Sequence, residues 1–287
     1  MKLINGIETI IDKYDLYLLD QWGVIHNGVS GYPKAIKAID YLINKNKKII
    51  IISNSSKKKQ STIQRLPKLG FKKENFFDVL TSGQMIWNEI SNFLFKYGKN
   101  LHNCFHIYDN SKEDGLDFRK GLDKLTFVKE IEKSDFILAC TPFKDSKPVD
   151  YIPLLKIAID KNLKMFCANP DYETIEKDQN KSFCMGTIAK IYENMGGEVI
   201  ILGKPANIIY LEAIKSLKIN KSKILAVGDS IFHDIEGANK FGIDSLFITT
   251  GIHSDMFSQI NPVWTGSKNK LQKYNIKPTY FSLNFSI

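Results

Sequence analysis

Short apolar runs in this chain stop abruptly at residues that can do chemistry. Residues 16–19 end at Asp20, 48–52 end at Ser53, 198–202 end at Gly203-Lys204, and 224–227 end at Gly228-Asp229; 245–248 make a fifth run. A run that is apolar at every position suits a strand covered on both faces, as inside a parallel sheet. Between the first two runs, Ala35, Ile36, Ile39, Leu42 and Ile43 fall at helical spacing over residues 32–46. Strand, helix, strand is the doubly wound pattern, so the expected class is α/β with a Rossmann-like parallel sheet. In such sheets ligands lie beyond the carboxyl ends of the strands. Asp20, Ser53, Lys204 and Asp229 are therefore expected to converge on one rim from four strands.

The stretch between the second and third runs is too long for a crossover. It carries strand-like segments at 104–108, 136–139 and 165–168, and helical ones at 84–95 and 151–160. This reads as an inserted α/β cap domain over 81–196, interrupting a core made of 1–80 and 197–287. A chain of 287 residues has the length for two such domains and a sizeable core.

Composition excludes several classes. No apolar run approaches the roughly 20 residues of a membrane helix. Residues 1–20 carry charges throughout and have no continuous apolar core of a secretion signal, so a cytoplasmic location is expected. Cys104, Cys140, Cys167 and Cys184 form no CxxC pair and read as scattered reduced core thiols. The net charge of +9 is carried almost wholly by lysine, with arginine only at 65 and 119. Bidentate recognition of phosphates and bases favours arginine, so no nucleic-acid partner is expected. The run Lys57-Lys58-Lys59 reads as a solvated helix start, with attraction for anionic substrates as its functional alternative.

The residues at the run ends suggest one site. An Asp at a strand end before a glycine turn, as in Asp20-Gln21-Trp22-Gly23, is an exposed nucleophile or a metal ligand. Asp229 and Asp234, five apart where a strand passes into a helix, can face the same hollow. Three carboxylates in close quarters call for a cation, and Mg²⁺ suits hard oxygen ligands best. The structural alternative makes Asp234 the cap of a helix over 235–241 that ends at Gly242. Lys204 offers a fixed ammonium to a nucleophile and a phosphoryl group. Ser53-Asn54-Ser55 offers a hydroxyl and amides for phosphate, or simply a helix cap.

In this order the segments resemble the four motifs of the haloacid dehalogenase-like hydrolase superfamily, and specifically its class IIA branch of NagD-type relatives. Leu18-Leu19-Asp20-Gln21-Trp22-Gly23-Val24, Ile51-Ile52-Ser53-Asn54-Ser55, Gly203-Lys204-Pro205 and Gly228-Asp229-Ser230 with Asp234 are similar to motifs one to four. Ser82-Gly83, Ala168-Asn169-Pro170-Asp171 and Met185-Gly186-Thr187 resemble cap landmarks, and Lys277-Pro278-Thr279-Tyr280 the last core strand. The resemblance implies a phosphatase acting on a phosphorylated small molecule, with Asp20 forming an aspartyl-phosphate. It implies that Ser53, Asn54, Ser55 and Lys204 hold the substrate, with Ser53 and Lys204 on the phosphoryl oxygens. It implies Mg²⁺ on Asp20, the backbone carbonyl of Trp22 and Asp229, with Asp234 supporting that shell. A homodimer is one arrangement this class permits.

One position departs from the pattern. Where the family's first motif carries a second Asp, as proton donor and base, this chain has Trp22, whose indole only donates a hydrogen bond. His26 or His233 are candidates to supply the proton, against their reading as ordinary loop histidines. Two further readings stand beside the phosphatase: a weak or inactive member that binds a phosphorylated ligand, and a 2-haloacid dehalogenase, whose halide leaves without a proton. Receiver domains share the acidic cluster, hydroxyl and lysine but are about half this length or less and lack the insertion.

Overall fold

The computed structural model describes residues 1–97, 102–111, 114–175, 180–254 and 276–287, with the backbone alone for 93–97 and Asp114. The chain divides into two compact units. The first comprises Met1–Ser53, Gln60–Leu80 and Lys204–Ile287; the second comprises Asn54–Lys59 and Thr81–Gly203.

The first unit is built on seven strands: β1 (Lys2–Leu3), β2 (Leu16–Leu19), β3 (Lys48–Ser53), β4 (Asp78–Thr81), β5 (Ile224–Gly228), β6 (Asp244–Ile248) and β7 (Tyr280–Ser282). They lie in the order β1-β7-β6-β5-β2-β3-β4. The pairs β1/β7, β7/β6, β6/β5, β5/β2 and β2/β3 are parallel. Every residue of β2 and β5 is buried, which is why these stretches read as unbroken apolar runs. Side chains alternate between the faces. Tyr17, Leu19, Ile49, Ile51, Leu225 and Val227 join one cluster, while Phe247 and Phe281 join Ile231 and Ile235 in another.

The helix Pro33–Asn44 begins with proline, whose missing N–H costs nothing in a first turn. It buries Ala35, Ala38, Ile39 and Leu42, one stripe at helical spacing, and the chain reverses at Asn46 with φ +55°. At the opposite edge of the sheet from the strand ends that carry the motifs, the Tyr14 hydroxyl donates to Asp244 Oδ2 at 2.5 Å and Thr279 Oγ1 donates to Oδ1 at 2.9 Å. That carboxylate ties together the starts of β6 and β7 and the residues before β2.

The second unit holds a five-stranded parallel sheet in the order 199–201, 164–167, 136–139, 103–107, 126–128, and an antiparallel pair 173–175/181–183. Its strands also alternate. Ile107, Ile137, Ala139, Met165 and Cys167 pack on one face, while Cys104, Phe136, Leu138 and Phe166 pack on the other. The landmark segments meet inside this unit: Gly186 N–H donates to Asp171 O at 3.0 Å, and a Cβ on Gly186 would lie 2.0 Å from Pro170 O.

Two expectations need correction here. The run over 198–202 is not a core strand. Val199–Ile201 pairs in parallel with Lys164–Cys167, Ile200 against Phe166, so residues 197–203 belong to the second unit, as do Asn54–Lys59. An isoleucine-rich run fits either parallel sheet equally well, and only the pairing partner decides. The lysine run is also not a freely solvated helix start. Lys58 lies 5.3 Å from the Trp87 ring centre and donates to Lys120 O at 3.0 Å. All four cysteines are buried free thiols, as expected. Among the described residues no helix is long and apolar enough to cross a membrane.

Candidate active site

Sheet register assembles the site. Leu19 pairs with Val227 on one side and Ile51 on the other, and Asp20 N–H donates to Val227 O at 2.9 Å. The chain leaves β2 for β3 on one flank and returns in β5 on the other, so β2 sits at a switch point where the ends of adjacent strands splay into a crevice. Asp20, Ser53 and Asp229 each stand at the carboxyl end of one of these three strands. The loop after 201 brings Lys204 into the same unit without a strand of its own.

Lys204 is the electrostatic hub. Its Nζ donates to Asp20 Oδ1 and to Asp234 Oδ1, both at 2.6 Å. Its side chain is 4% exposed, that of Asp234 5%, and that of Asp20 13%. Asp20 is thus the more open of the two carboxylates that Lys204 holds. Asp229 completes a trio in which one oxygen of each carboxylate lies within 4.8 Å of the others.

Glycines make this crowding sterically feasible. A Cβ on Gly23, at φ +80°, would lie 2.0 Å from Asp229 Oδ2, and one on Gly251 would lie 1.9 Å from the same oxygen. Asp229 Oδ2 also accepts the Ile252 N–H at 2.7 Å. Gly228 performs the same service for Asp234, whose Cγ would sit 2.0 Å from a Cβ there. Asp234 lies in a π-turn, Ile231–Ile235, with its Oδ2 accepting the Ser230 N–H at 3.0 Å. Such single π-turns recur at functional sites because they re-aim a side chain. The cap reading of Asp234 therefore fails: the helix Glu236–Phe241 starts beyond it, although Gly242 does end that helix at φ +76° as expected.

Burial pushes the Asp229 carboxyl well above the ordinary carboxylate range, and the charges of Asp20 and Asp234 push it the same way. A group so placed takes up a proton or is neutralised by a cation. Three hard oxygen donors in a glycine-lined cradle fit a divalent ion such as Mg²⁺, which accepts carboxylates and keeps other positions for water or phosphate.

Ser53 is buried at the end of β3, beside Asp20 in the sheet. Asn54 and Ser55, expected to share its role, fall in the second unit. Asn54 Nδ2 donates to Asp171 Oδ1 at 2.8 Å, and Ser55 Oγ accepts the Lys57 N–H. Their side chains are engaged in holding that unit together, because the chain changes units directly after Ser53.

Trp22 packs into its own loop. Its ring meets the His26 ring edge-on at 5.6 Å, and a Cβ on Gly28, at φ +84°, would lie 2.1 Å from it. His26 is 3% exposed, its Nδ1 accepts the Gly28 N–H at 3.1 Å, and burial, with the nearby Arg65 charge, pulls its pKa down to about 4. It is a neutral residue that holds the loop, not the sought proton donor. His233 is likewise buried, its Nδ1 2.9 Å from Ser230 Oγ. The sequence reading missed Gly251 and Ile252, whose signal was the Thr250-Gly251 turn after the fifth apolar run. It also missed Tyr32, whose phenol is raised in pKa by burial and by the charge of Asp229.

Comparison with known proteins agrees with this geometry. Models of haloacid dehalogenase-like hydrolases match residues 17–108 and 150–242, and a HAD-hydrolase-like model matches 201–285. An acid sugar phosphatase of Staphylococcus haemolyticus is 25% identical over 242 residues, spanning 84% of this chain and 87% of its own length. The crystal structure of a haloacid dehalogenase-like hydrolase from Brucella suis superposes with a TM-score of 0.82 at 27% identity, over 99% of this chain and 100% of its own. A glycerol phosphate phosphatase from Mycobacterium tuberculosis, solved with magnesium, has a TM-score of 0.66 at 21% identity over 98% of this chain and 78% of its own. The matched segments include the ends of β2, β3 and β5 and the Lys204 loop, and the chain belongs to the haloacid dehalogenase-like hydrolases.

Proposed function

We propose that the chain is a Mg²⁺-dependent phosphatase that hydrolyses a phosphorylated small molecule through an aspartyl-phosphate on Asp20. The observation that carries this reading is the Lys204 ammonium held 2.6 Å from Asp20 Oδ1 beside a second and third carboxylate. In this reading the carboxylate of Asp20 attacks phosphorus. Lys204 keeps that carboxylate ionised and meets the charge of the transferring phosphoryl group. Ser53, at the end of the neighbouring strand, donates its hydroxyl to a phosphoryl oxygen. Asp20, the Trp22 backbone carbonyl and Asp229 hold the ion, and Asp234 fixes Lys204. When bound, Mg²⁺ supplies positive charge to the phosphoryl oxygens and offsets the repulsion between substrate and carboxylates.

The relatives' names, acid sugar phosphatase and glycerol phosphate phosphatase, support a phosphorylated small molecule as substrate. Asp20→Asn is expected to abolish turnover of a generic aryl phosphate, and full activity in that variant would refute the mechanism. The tryptophan at position 22 favours a second reading, a ligand-binding member without turnover. That reading predicts no hydrolysis across a broad phosphoester panel together with thermal stabilisation by one phosphorylated ligand.

A further inference from the structure

From the engagement of the groups around Asp20 we infer that, among phosphorylated compounds, this site selects those whose leaving oxygen departs as a stable anion: aryl, enol and acyl phosphates or phosphoanhydrides, over simple alkyl phosphates. The inference rests on the phosphatase reading and narrows its substrate class.

An alkoxide is a poor leaving group, and expelling it needs a proton donor within hydrogen-bond reach of the leaving oxygen. Among the described residues, Lys204, Asp234 and Asp229 are each engaged. Lys204 donates to Asp20 Oδ1 and Asp234 Oδ1. Asp234 accepts from Lys204 and from the Ser230 N–H. Asp229 accepts the Ile252 N–H and is walled in by Gly23 and Gly251. Residue 22 stands two positions after Asp20, the spacing at which an extended chain repeats a side. It carries an indole, which has no acidic proton to give. The histidine of the same loop, His26, turns its Nδ1 to the Gly28 N–H and its ring against Trp22.

The chemistry balances without a donor only for stable leaving anions. In the first step an Asp20 oxygen bonds to phosphorus, the P–O bond to the leaving group breaks, and its electron pair leaves as RO⁻. In the second, water bonds to phosphorus and the P–O bond to Asp20 breaks. The carboxylate leaves as an anion, and both protons of water stay with the inorganic phosphate released, as H2PO4⁻.

The test is a leaving-group series: phenyl phosphates of graded phenol acidity, up to a pKa of about 10, and glycerol 1-phosphate as the alkyl probe, each with wild type in Mg²⁺. A steep fall of kcat/KM with phenol pKa is expected. Glycerol 1-phosphate should lie about 10²–10⁴-fold below 4-nitrophenyl phosphate, the range that general acid help is worth. Trp22→Asp should narrow that gap by about tenfold or more, with folding checked by circular dichroism. If that variant does not fold, the wild-type series alone decides. Tyr32→Phe should leave the gap unchanged. A flat leaving-group dependence, an aryl-to-alkyl gap below about tenfold, or a gap widened by Tyr32→Phe overturns this inference but leaves the phosphatase intact. No turnover of any member of the series overturns both.

Discussion

Lys204→Met removes the ammonium that bonds both Asp20 and Asp234 while keeping a long side chain, and its cost can be worked from the geometry. At 2.6 Å and an effective dielectric constant of about 20, each contact carries roughly 6 kcal/mol of attraction. Desolvation offsets much of that, and breaking a buried pair typically costs about 3–5 kcal/mol. Protonation sets a second limit. An orphaned carboxylate takes a proton once that is cheaper than staying charged. From an unfolded pKa of about 3.9, this caps the penalty per carboxylate at about 4 kcal/mol at pH 7 and about 1.5 kcal/mol at pH 5. In the variant the folded-state pKa of the orphan lies above its unfolded value, so the folded form binds the extra proton and the variant recovers as pH falls. Urea unfolding of wild type and variant in EDTA at pH 7 and pH 5 measures this directly. The destabilisation should be several kcal/mol at pH 7 and less than half of that at pH 5. A difference below about 1 kcal/mol at pH 7, the range of an exposed pair, or one unchanged at pH 5, would refute the electrostatic account of the hub.

Further expectations follow from the same geometry. Mg²⁺ should stabilise the protein by about 2.7 kcal/mol at a hundredfold excess over its Kd; Asp229→Asn should erase the Tm shift. Gly251→Ala, which drives a methyl against Asp229 Oδ2, should move the Mg²⁺ midpoint upward by calorimetric titration. His26 has a folded pKa of about 4 against about 6.5 unfolded, so its neutral form is favoured above pH 6.5 and that stability is lost as pH falls through about 4. The loss amounts to about 3 kcal/mol, and His26→Asn should show a correspondingly shallower decline between pH 7 and pH 4. Asp171→Ala should remove the acceptor of the Asn54 Nδ2 hydrogen bond and destabilise the second unit by about 1–3 kcal/mol in denaturant unfolding.

The residues at strand ends were legible because burial on both faces forces unbroken apolar runs, and a run's end marks where chemistry can begin. Asp20, Ser53 and Asp229 needed nothing more, since each stands at the carboxyl end of a buried parallel strand. The helix over 33–44 was legible from one stripe and a proline. What the sequence could not carry is membership and aim. Val199–Ile201 looks like any parallel strand, and only its pairing with Lys164–Cys167 assigns it to the second unit. Asn54 and Ser55 read as a continuation of Ser53, yet the chain passes between units at that peptide bond. His26 has a suitable pKa in water, and burial against Trp22 and Gly28 takes that away. Asp234 read equally as a helix cap until a π-turn and the missing Cβ of Gly228 turned it toward Lys204. Local pattern determined which residues stand at the ends of strands, because periodicity and burial act within one element. Which of them meet, and in what ionisation state, was decided by the tertiary structure, because charge, desolvation and sheet pairing act between residues hundreds of positions apart.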